Sequence, residues 1–217
     1  IEALTEKHRM EKQLDEVRLQ MLKNQINPHF LFNTLNMIAS TAQIEDADTT
    51  EKMIHALSRL FRYNLKSTDS VMPLERELKV VQDYMYLQQM RFGQRIRYDT
   101  DCKPDTMEVL VPSFALQPLV ENAIIHGISP KGQGGRIHVR SWMEGRRLWI
   151  SVADTGRGMA QERLEEIRLA LARGEEKATG VGVGNIYRRV HGMYRDGEVF
   201  IYSSEGRGTV VQMAFTP

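Results

Sequence analysis

The sequence has a single cysteine, almost no net charge and no long hydrophobic run, and each scarcity excludes a class of protein. Cys102 has no second cysteine to pair with, so the fold is not held by intrachain disulfides. The 29 basic and 28 acidic residues leave a net charge of +1, which does not favour nucleic acid or anionic lipid as a partner. No apolar run approaches the ~20 residues that span a bilayer. An apolar fraction of 41% then indicates an ordinary globular chain with a core.

Glycine is absent from the first 92 residues, and this half of the chain is predicted to be helical. Residues 1–24 place apolar side chains at five of seven positions with a 3–4 spacing, which favours a short coiled coil, with a plain amphipathic helix as the alternative. Pro28 predicts a kink. Two amphipathic segments then predict a helical hairpin over residues 26–66, and a third helix follows from Pro73 to about Arg91.

The second half of the chain alternates β-rich and helical patterns, and all but Gly93 of the 16 glycines lie at or beyond residue 127. We therefore place a domain boundary near residue 93 and predict an α/β layered domain after it. The predicted strands are Ile96–Thr100, Ile137–Trp142, Leu148–Ala153, Glu198–Ser203 and Thr209–Ala214. The predicted helices are Pro112–His126, Gln161–Ala172 and Val183–Tyr194.

Three short motifs in this domain carry candidate chemistry. The first is Glu121–Gly127 (ENAIIHG), the second is Asp154–Met159 (DTGRGM) and the third is Gly180–Asn185 (GVGVGN). A glycine-rich run that opens a helix offers backbone N–H groups to phosphates, although a lone run of this kind is more often a turn. The pattern is neither the dinucleotide fingerprint nor a Walker lysine motif. The ordered set of three motifs is more specific than any one of them.

In order and spacing, that set resembles the ATP-binding domain shared by DNA gyrase, Hsp90, histidine kinases and MutL, over about residues 110–216. The resemblance implies that Asn122 holds Mg²⁺ and that Asp154 recognises the adenine amino group, with Thr209 as a helper. It implies a mobile lid over residues 159–179. The remaining residues of the implied nucleotide-binding set are the glycines Gly156, Gly158, Gly180, Gly182 and Gly184, together with His126 at the rim, Asn185 and Arg189.

The run Asn27–Asn33 (NPHFLFN) resembles the phosphoacceptor box of the LytS-type sensor histidine kinases, and Pro118–Gly127 (PLVENAIIHG) resembles that family's second signature. The resemblance implies an α+β fold, in which a helical dimerisation hairpin precedes an α/β sandwich of the Bergerat type, a mixed sheet with helices on one face. The implied domains are a coiled-coil signalling helix over 1–24, a dimerisation and phosphoacceptor domain over 25–92, and an ATP-binding catalytic domain over 93–217.

The implied activity is autophosphorylation of His29 from MgATP, followed by transfer to an aspartate in the receiver domain of a response regulator. Imidazole suits this role because one ring nitrogen is free near neutral pH, and Asn33, one turn on, is placed to orient the ring. The implied partners are a second copy of the chain and the regulator, with no nucleic acid. Because the chain starts at Ile1 without a signal peptide, we expect the cytoplasmic portion of a bacterial membrane receptor whose sensor lies upstream.

Two positions depart from the patterns that these resemblances imply, a third position discriminates between kinds of ATP-binding protein, and two alternatives stay open. Phe30 stands where orthodox histidine kinases have an acidic base, and Ile125 stands where the family commonly has lysine, so Arg189 is a candidate for the missing phosphate contact. Pro118 stands where ATP-hydrolysing machines carry a water-activating glutamate. The alternatives are an ATPase machine of the gyrase or MutL kind, against which Pro118 argues, and a degenerate kinase acting as a dimeric scaffold.

Overall fold

The computed structural model describes residues 28–66, 70–173 and 181–217. The predicted coiled coil over 1–24, the approach to the kink at Pro28 and Gly180 lie outside the described residues. The chain divides into two compact units between Lys66 and Ser67, which we call the hairpin unit and the sheet unit. None of the described helices combines the length and the apolarity that crossing a membrane requires.

The hairpin unit contains two helices, α1 (Pro28–Ile44) and α2 (Asp48–Lys66). Proline is favoured in the first turn of a helix because its missing N–H would have no partner there. Helix α2 begins with acidic Asp48 and Glu51, which suit the positive end of its dipole. The two helices pack through small and large apolar side chains, namely Leu35, Ala39, Ala42, Ala56 and Leu60. This confirms the predicted helical hairpin.

The sheet unit is built on a five-stranded mixed sheet and a separate two-stranded ribbon. The ribbon pairs β1 (Val71–Pro73) with β3 (Leu110–Pro112) in antiparallel register. The main sheet has the order β2-β4-β5-β7-β6, and only the β2–β4 pair is parallel. Its strands are β2 (Ile96–Cys102), β4 (Gly135–Glu144), β5 (Arg147–Asp154), β6 (Glu198–Ser204) and β7 (Gly208–Phe215).

One face of the main sheet forms the core with the helices of this unit. Alternate residues such as Ile137, Ile150 and Met213 are fully buried on this face, as the two-residue period of a strand requires. The helices are α3 (Leu74–Phe92), α4 (Gln117–Asn122) with a π-helical continuation over Ala123–Ile128, α5 (Gln161–Arg173) and α6 (Val181–Met193). This confirms the α+β fold with a mixed sheet.

The opposite face of the sheet carries an aromatic row. The rings of Trp142 and Trp149 stack with centroids 5.8 Å apart, and Trp149 stacks in turn on Phe200 at 5.9 Å. The contact between Trp149 and Phe200 crosses β7 diagonally, since Trp149 pairs with Ala214 and Phe200 pairs with Gln212. The guanidinium of Arg147 lies 5.6 Å from the ring centre of Trp149. The row therefore uses residues that alternate with the core positions.

Four local features differ from the sequence-based expectation. The short strands β1 and β3 were not predicted, and residues 112–116 form a strand end and a loop rather than the start of a helix. Helix α5 over residues 161–173 was predicted, but its Leu164 and Ile167 are buried in the core, a packing that the expectation of a mobile lid over 159–179 did not include. Helix α3 contributes Leu74 and Val81 to the core of the sheet unit, so the division of packing does not coincide with the boundary expected near residue 93.

Candidate functional site

A cavity of about 650 Å³ opens between the core face of the sheet, helix α4 with its π-helical continuation, α5 and α6. This volume lies within the range of roughly 300–1,000 Å³ typical of small-molecule sites. The cavity brings together seven of the residues predicted from the sequence, namely Asn122, His126, Asp154, Gly158, Gly182, Asn185 and Thr209. Gly156, Gly184 and Arg189 do not line the cavity, His29 and Asn33 belong to the hairpin unit, and Gly180 lies outside the described residues.

Asp154, the last residue of β5, places its carboxylate in the cavity wall. The backbone N–H of Gly156 donates to Asp154 Oδ1 at 2.7 Å and fixes the carboxylate's orientation. Burial raises the pKa of the Asp154 carboxyl above its ordinary value, although amide donors at Gly156 and Thr209 and the charge of Lys131 act in the opposite direction. A half-buried carboxylate of this kind gains from a ligand that donates a hydrogen bond, such as an exocyclic amine.

The loop after β5 approaches its neighbours so closely that side chains are excluded. A Cβ on Gly156 would lie 2.2 Å from the carbonyl carbon of Gly127. Gly158 has a positive φ of 64°, and a Cβ there would lie 1.9 Å from the carbonyl oxygen of Ser204. The glycines of the Asp154–Met159 motif are therefore required by packing. Gly156 does not line the cavity itself but supports the wall behind Asp154.

A hydroxyl network, which the sequence analysis missed, fixes the same wall. Ser203 Oγ accepts a hydrogen bond from the backbone N–H of Met159 at 3.0 Å. It also contacts the hydroxyl of Thr209 at 3.0 Å and donates to the carbonyl of Gly208 at 2.9 Å. One serine thus links the loop after β5 to strand β7. A single serine in a strand carries no local signal by which this role could have been found.

Asn122 is the last residue of α4, and the chain continues from it into the π-helical turn over Ala123–Ile128. Its side chain faces α6, since a Cβ on Gly182 would lie only 2.4 Å from Asn122 Nδ2. Glu121, also in the cavity wall, accepts a hydrogen bond from Gln117 at 2.8 Å. Carboxamide and carboxylate oxygens are hard ligands of the kind that Mg²⁺ prefers.

The donor set fits Mg²⁺ that arrives with a phosphate group. Within the described ranges, no group of three or more His, Cys, Asp or Glu side chains could hold a metal ion. Mg²⁺ commonly keeps several waters and binds through one or two protein oxygens plus substrate phosphates. The first described turn of α6 lines the cavity through Gly182, Val183 and Asn185. The N-terminal end of a helix has the polarity that phosphates require.

Two predicted residues of α6 lie outside the cavity lining. The guanidinium of Arg189 donates a hydrogen bond to the carbonyl of Ser113 and lies 5.6 Å from the ring centre of Phe114. The Arg189 guanidinium thus contacts Ser113 and Phe114, and the expectation that it replaces a phosphate-binding lysine stays a prediction. Gly184 is part of α6 but does not line the cavity. Among the described residues, the basic ones that line it are His126, Arg157 and Arg163.

His29 and Asn33 belong to the hairpin unit. His29 is the second residue of α1, and Asn33 is an exposed residue one turn later in the same helix. Ile125, at the position where a lysine was expected, is 55% exposed and does not line the cavity.

Both halves of the chain match known protein families. Residues 17–96 match the family described as histidine kinase. Residues 112–217 match the family described as histidine kinase-, DNA gyrase B- and HSP90-like ATPase. Together, the two matches include the hairpin unit's described residues and every element of the cavity.

Two curated relatives are similar over most of the chain. The sensor histidine kinase YpdA of Escherichia coli is 36% identical over 186 residues, which is 84% of this chain. The sensor protein LytS of Staphylococcus saprophyticus is 33% identical over 197 residues, which is 90% of this chain. The chain spans about a third of the length of these relatives, 32% and 33% respectively.

Solved structures show the same fold. The histidine kinase domain of a blue-light activated histidine kinase from Erythrobacter litoralis matches with a TM-score of 0.51 and 20% identity, covering 92% of this chain and 94% of that one. The catalytic domain of the histidine kinase ThkA matches with a TM-score of 0.50 and 17% identity, covering 67% of this chain and 95% of that domain.

Proposed function

Because the chain belongs to the sensor histidine kinase family and is the kinase core of a two-component system, we propose that it binds MgATP in the cavity of the sheet unit. We propose that it then autophosphorylates on His29. The observation that carries this proposal is the convergence of Asn122, Asp154 and the first turn of α6 on one cavity. The cavity thus offers an acceptor for an amino group, hard oxygen ligands and a helix N-terminus.

Different residues of the cavity are assigned to different parts of MgATP. We assign the adenine amino group to Asp154, whose carboxylate is held by the amide of Gly156, with Thr209 beside it. We assign the triphosphate to the end of the cavity formed by Asn122 and Gly182. Asn122 would hold Mg²⁺, which when bound neutralises charge on the phosphates. His126, Asn185 and Gly158 complete the cavity wall, and Gly156 supports it.

In the proposed reaction, an unprotonated ring nitrogen of His29 attacks the γ-phosphorus of ATP. A phosphorus–nitrogen bond forms while the bond from the γ-phosphorus to the bridging oxygen breaks, and that oxygen leaves with the electron pair on ADP. The proton on the other ring nitrogen passes to water. In a second step, an aspartate carboxylate of a response-regulator receiver domain takes the phosphoryl group and releases the imidazole of His29. Asn33 would orient the ring.

Labelling with ATP that carries radioactive γ-phosphate tests the proposal directly. The chain should become labelled in a form that is stable to alkali and labile to acid, and His29→Ala should abolish the label. His55→Ala is a matched control, because His55 is an exposed histidine of the same hairpin unit and should leave labelling unchanged. Label that persists in His29→Ala contradicts the assignment. Rapid ATP hydrolysis without any phosphoprotein would support an ATPase machine instead, and failure to bind MgATP would support a scaffold.

We also propose that the chain acts as a homodimer through the hairpin unit. Met37, Ile38 and Ile44 are apolar side chains of α1 that are 65%, 44% and 83% exposed. Pairing two hairpins into a four-helix bundle would bury side chains of this kind. Sedimentation should therefore give about twice the chain mass of 25.0 kDa. A monomer at tens of micromolar would contradict this proposal.

The cellular setting follows from the same family membership. Relatives in this family carry the names sensor histidine kinase and sensor protein. We propose that the chain is the cytoplasmic portion of a bacterial membrane receptor, because ATP and receiver domains are found inside the cell. A sensor and membrane segments would then belong to other parts of the parent protein.

A further inference from the structure

The loop over residues 113–116 joins β3 to α4, and its backbone is held in an unusual conformation. Phe114 has a φ of 59°, one of two positive φ values among the non-glycine residues in the described ranges. A bulky residue in this left-handed region is strained, and the conformation persists only where surrounding groups hold it. The loop therefore needs partners outside itself. The backbone N–H of Ser113 donates to the carbonyl of Ser70 at 3.0 Å, and side chains of α3 and α6 supply further contacts.

Glu77 of α3 holds the loop from one side. The side chain is completely buried. Its two carboxylate oxygens each accept a backbone N–H from the loop, from Phe114 at 2.9 Å and from Leu116 at 3.0 Å. A buried carboxylate is stable only when it is well hydrogen-bonded. The position and direction of both amides are therefore set by a residue 37 and 39 positions away in sequence, respectively.

Arg189 of α6 holds the loop from the other side. Its guanidinium donates to the carbonyl of Ser113 and lies 5.6 Å from the ring centre of Phe114. A planar guanidinium can form a directed hydrogen bond and stack on an aromatic ring at once, which a lysine ammonium does less well. Side chains of α3 and α6 thus hold the loop from both sides.

The 113–116 loop runs directly into α4, whose last residue is Asn122. Helix α6, which carries Arg189, also carries Gly182 about two turns earlier. The two helices meet where Gly182 faces the Asn122 amide, at a distance too short for any side chain on Gly182. The loop and this contact are therefore two attachment points between the same pair of helices, one before α4 and one at its end.

We propose that Glu77 and Arg189 are positioning residues, which act through the 113–116 loop to hold Asn122 in place for the magnesium-bound phosphates. This inference rests on the proposed function, in which the cavity binds MgATP. It assigns Arg189 a role other than phosphate contact. It also separates the two ends of the cavity, because Asp154 is held by Gly156 and the Ser203 network and not by this loop.

The separation of the two ends provides the test. Adenosine uses the Asp154 end alone, whereas MgATP also uses the Asn122 end. Calorimetric titration of both ligands should show that Arg189→Met weakens MgATP binding by roughly 10- to 100-fold, as expected when a contact to a charged group is lost. Adenosine binding should change by less than about twofold. Arg189→Lys should recover part of the MgATP affinity because it keeps a donor and a charge.

A second test variant and two charge-matched controls accompany Arg189→Met. Glu77→Gln should behave like Arg189→Met, because the N–H₂ group that replaces one carboxylate oxygen is a donor and cannot accept from the backbone N–H that faces it. Glu75→Gln, on the same helix, and Arg146→Met, in the turn after β4, change the same charges at exposed positions and should bind both ligands normally. Should Glu77→Gln fail to fold, Arg189→Met still decides the question.

Two results would overturn the inference. One is unchanged MgATP affinity in Arg189→Met. The other is an equal loss of MgATP and adenosine affinity, which indicates a general disturbance of the fold rather than positioning of Asn122. A wild-type chain that binds neither ligand would instead overturn the proposed function, and the two failures are therefore distinguishable.

Discussion

Gly182→Ala should weaken MgATP binding while leaving the fold intact. The added Cβ would lie 2.4 Å from Asn122 Nδ2 and 3.4 Å from Pro118 Cβ. An ordinary contact requires about 3.5 Å, so the Asn122 amide must move by roughly 1 Å. The amide is the end of a side chain and can rotate, which makes the substitution tolerable for stability. The same movement of the Asn122 amide would disrupt its coordination of Mg²⁺, because octahedral coordination at about 2.0–2.1 Å is strict.

The expected loss follows from that single contact. Losing one interaction with a charged group costs about 1.5–3 kcal/mol, or roughly 10- to 100-fold in the dissociation constant of MgATP. Adenosine, which does not reach Asn122, should bind as before. Isothermal titration with both ligands measures the two effects separately. Phosphorylation of His29 at subsaturating ATP should fall in proportion to the lost affinity.

Gly192→Ala in the same helix is the matched control. A Cβ on Gly192 meets no heavy atom within 4 Å, and neither glycine has a positive φ. Alanine at position 192 should therefore only stabilise the helix, by about 0.5–1 kcal/mol, and raise Tm by roughly 1–4 °C. MgATP should bind this variant normally. Wild-type MgATP affinity in Gly182→Ala would refute the reasoning, and so would an equal loss in both variants.

Three further substitutions probe the wall and the core. Asp154→Asn should raise the dissociation constants of both MgATP and adenosine by roughly 10- to 100-fold, because an amide N–H₂ replaces one acceptor oxygen. Since burial raises the pKa of the Asp154 carboxyl in the folded chain, the folded chain holds a proton that the unfolded chain releases, and stability should fall as pH rises above the ordinary carboxyl pKa of about 4. Urea titrations should show that Asp154→Asn loses this slope, and an unchanged slope would exclude Asp154 as its source. Gly156→Ala should destabilise the sheet unit by about 1–3 kcal/mol, because the new Cβ meets the rigid backbone of Gly127 at 2.2 Å. Phe215→Ala should cost about 3–5 kcal/mol in urea, because Phe215 is fully buried and stacks on Tyr194 at 4.0 Å; a cost below 1 kcal/mol would contradict that packing role.

The regular elements could be predicted from the sequence because their signals are local. Helix α5 shows this well, since Leu164, Ile167 and Leu171 repeat at the spacing of one helix face and are all buried. The strands of the main sheet alternate buried and exposed positions and were found within two residues of their observed ends. The helical hairpin was found for the same reason.

The features that escaped prediction depend on partners distant in sequence. Residues 112–116 have a composition compatible with a helix, yet Glu77 takes the amides of Phe114 and Leu116, and the helix starts only at Gln117. The three-residue strands β1 and β3 exist only as a pair and carry too few residues for a periodic signal. The π-helical turn after Asn122 leaves no mark in the sequence pattern.

For the candidate site, motifs predicted which residues line the cavity better than how the cavity is supported. Asp154 and Asn122 were named from their motifs, and both line it, although their roles remain predictions. Ser203 and Glu77 were missed because each acts through backbone groups of another segment. Arg189 was named for its charge, and its orientation depends on the 113–116 loop, which no local pattern revealed.

The position of the aromatic row, on the face of the sheet opposite the core, determines what intrinsic tryptophan fluorescence can report. Trp142 and Trp149 are the chain's two tryptophans, and they stack on each other on the face of the sheet opposite the cavity. We therefore expect their emission to follow melting of the sheet unit and to respond little to a ligand in the cavity, whose lining contains neither tryptophan. An optical reporter of ligand binding has to be introduced, and Met159→Trp in the cavity wall is a suitable place for it.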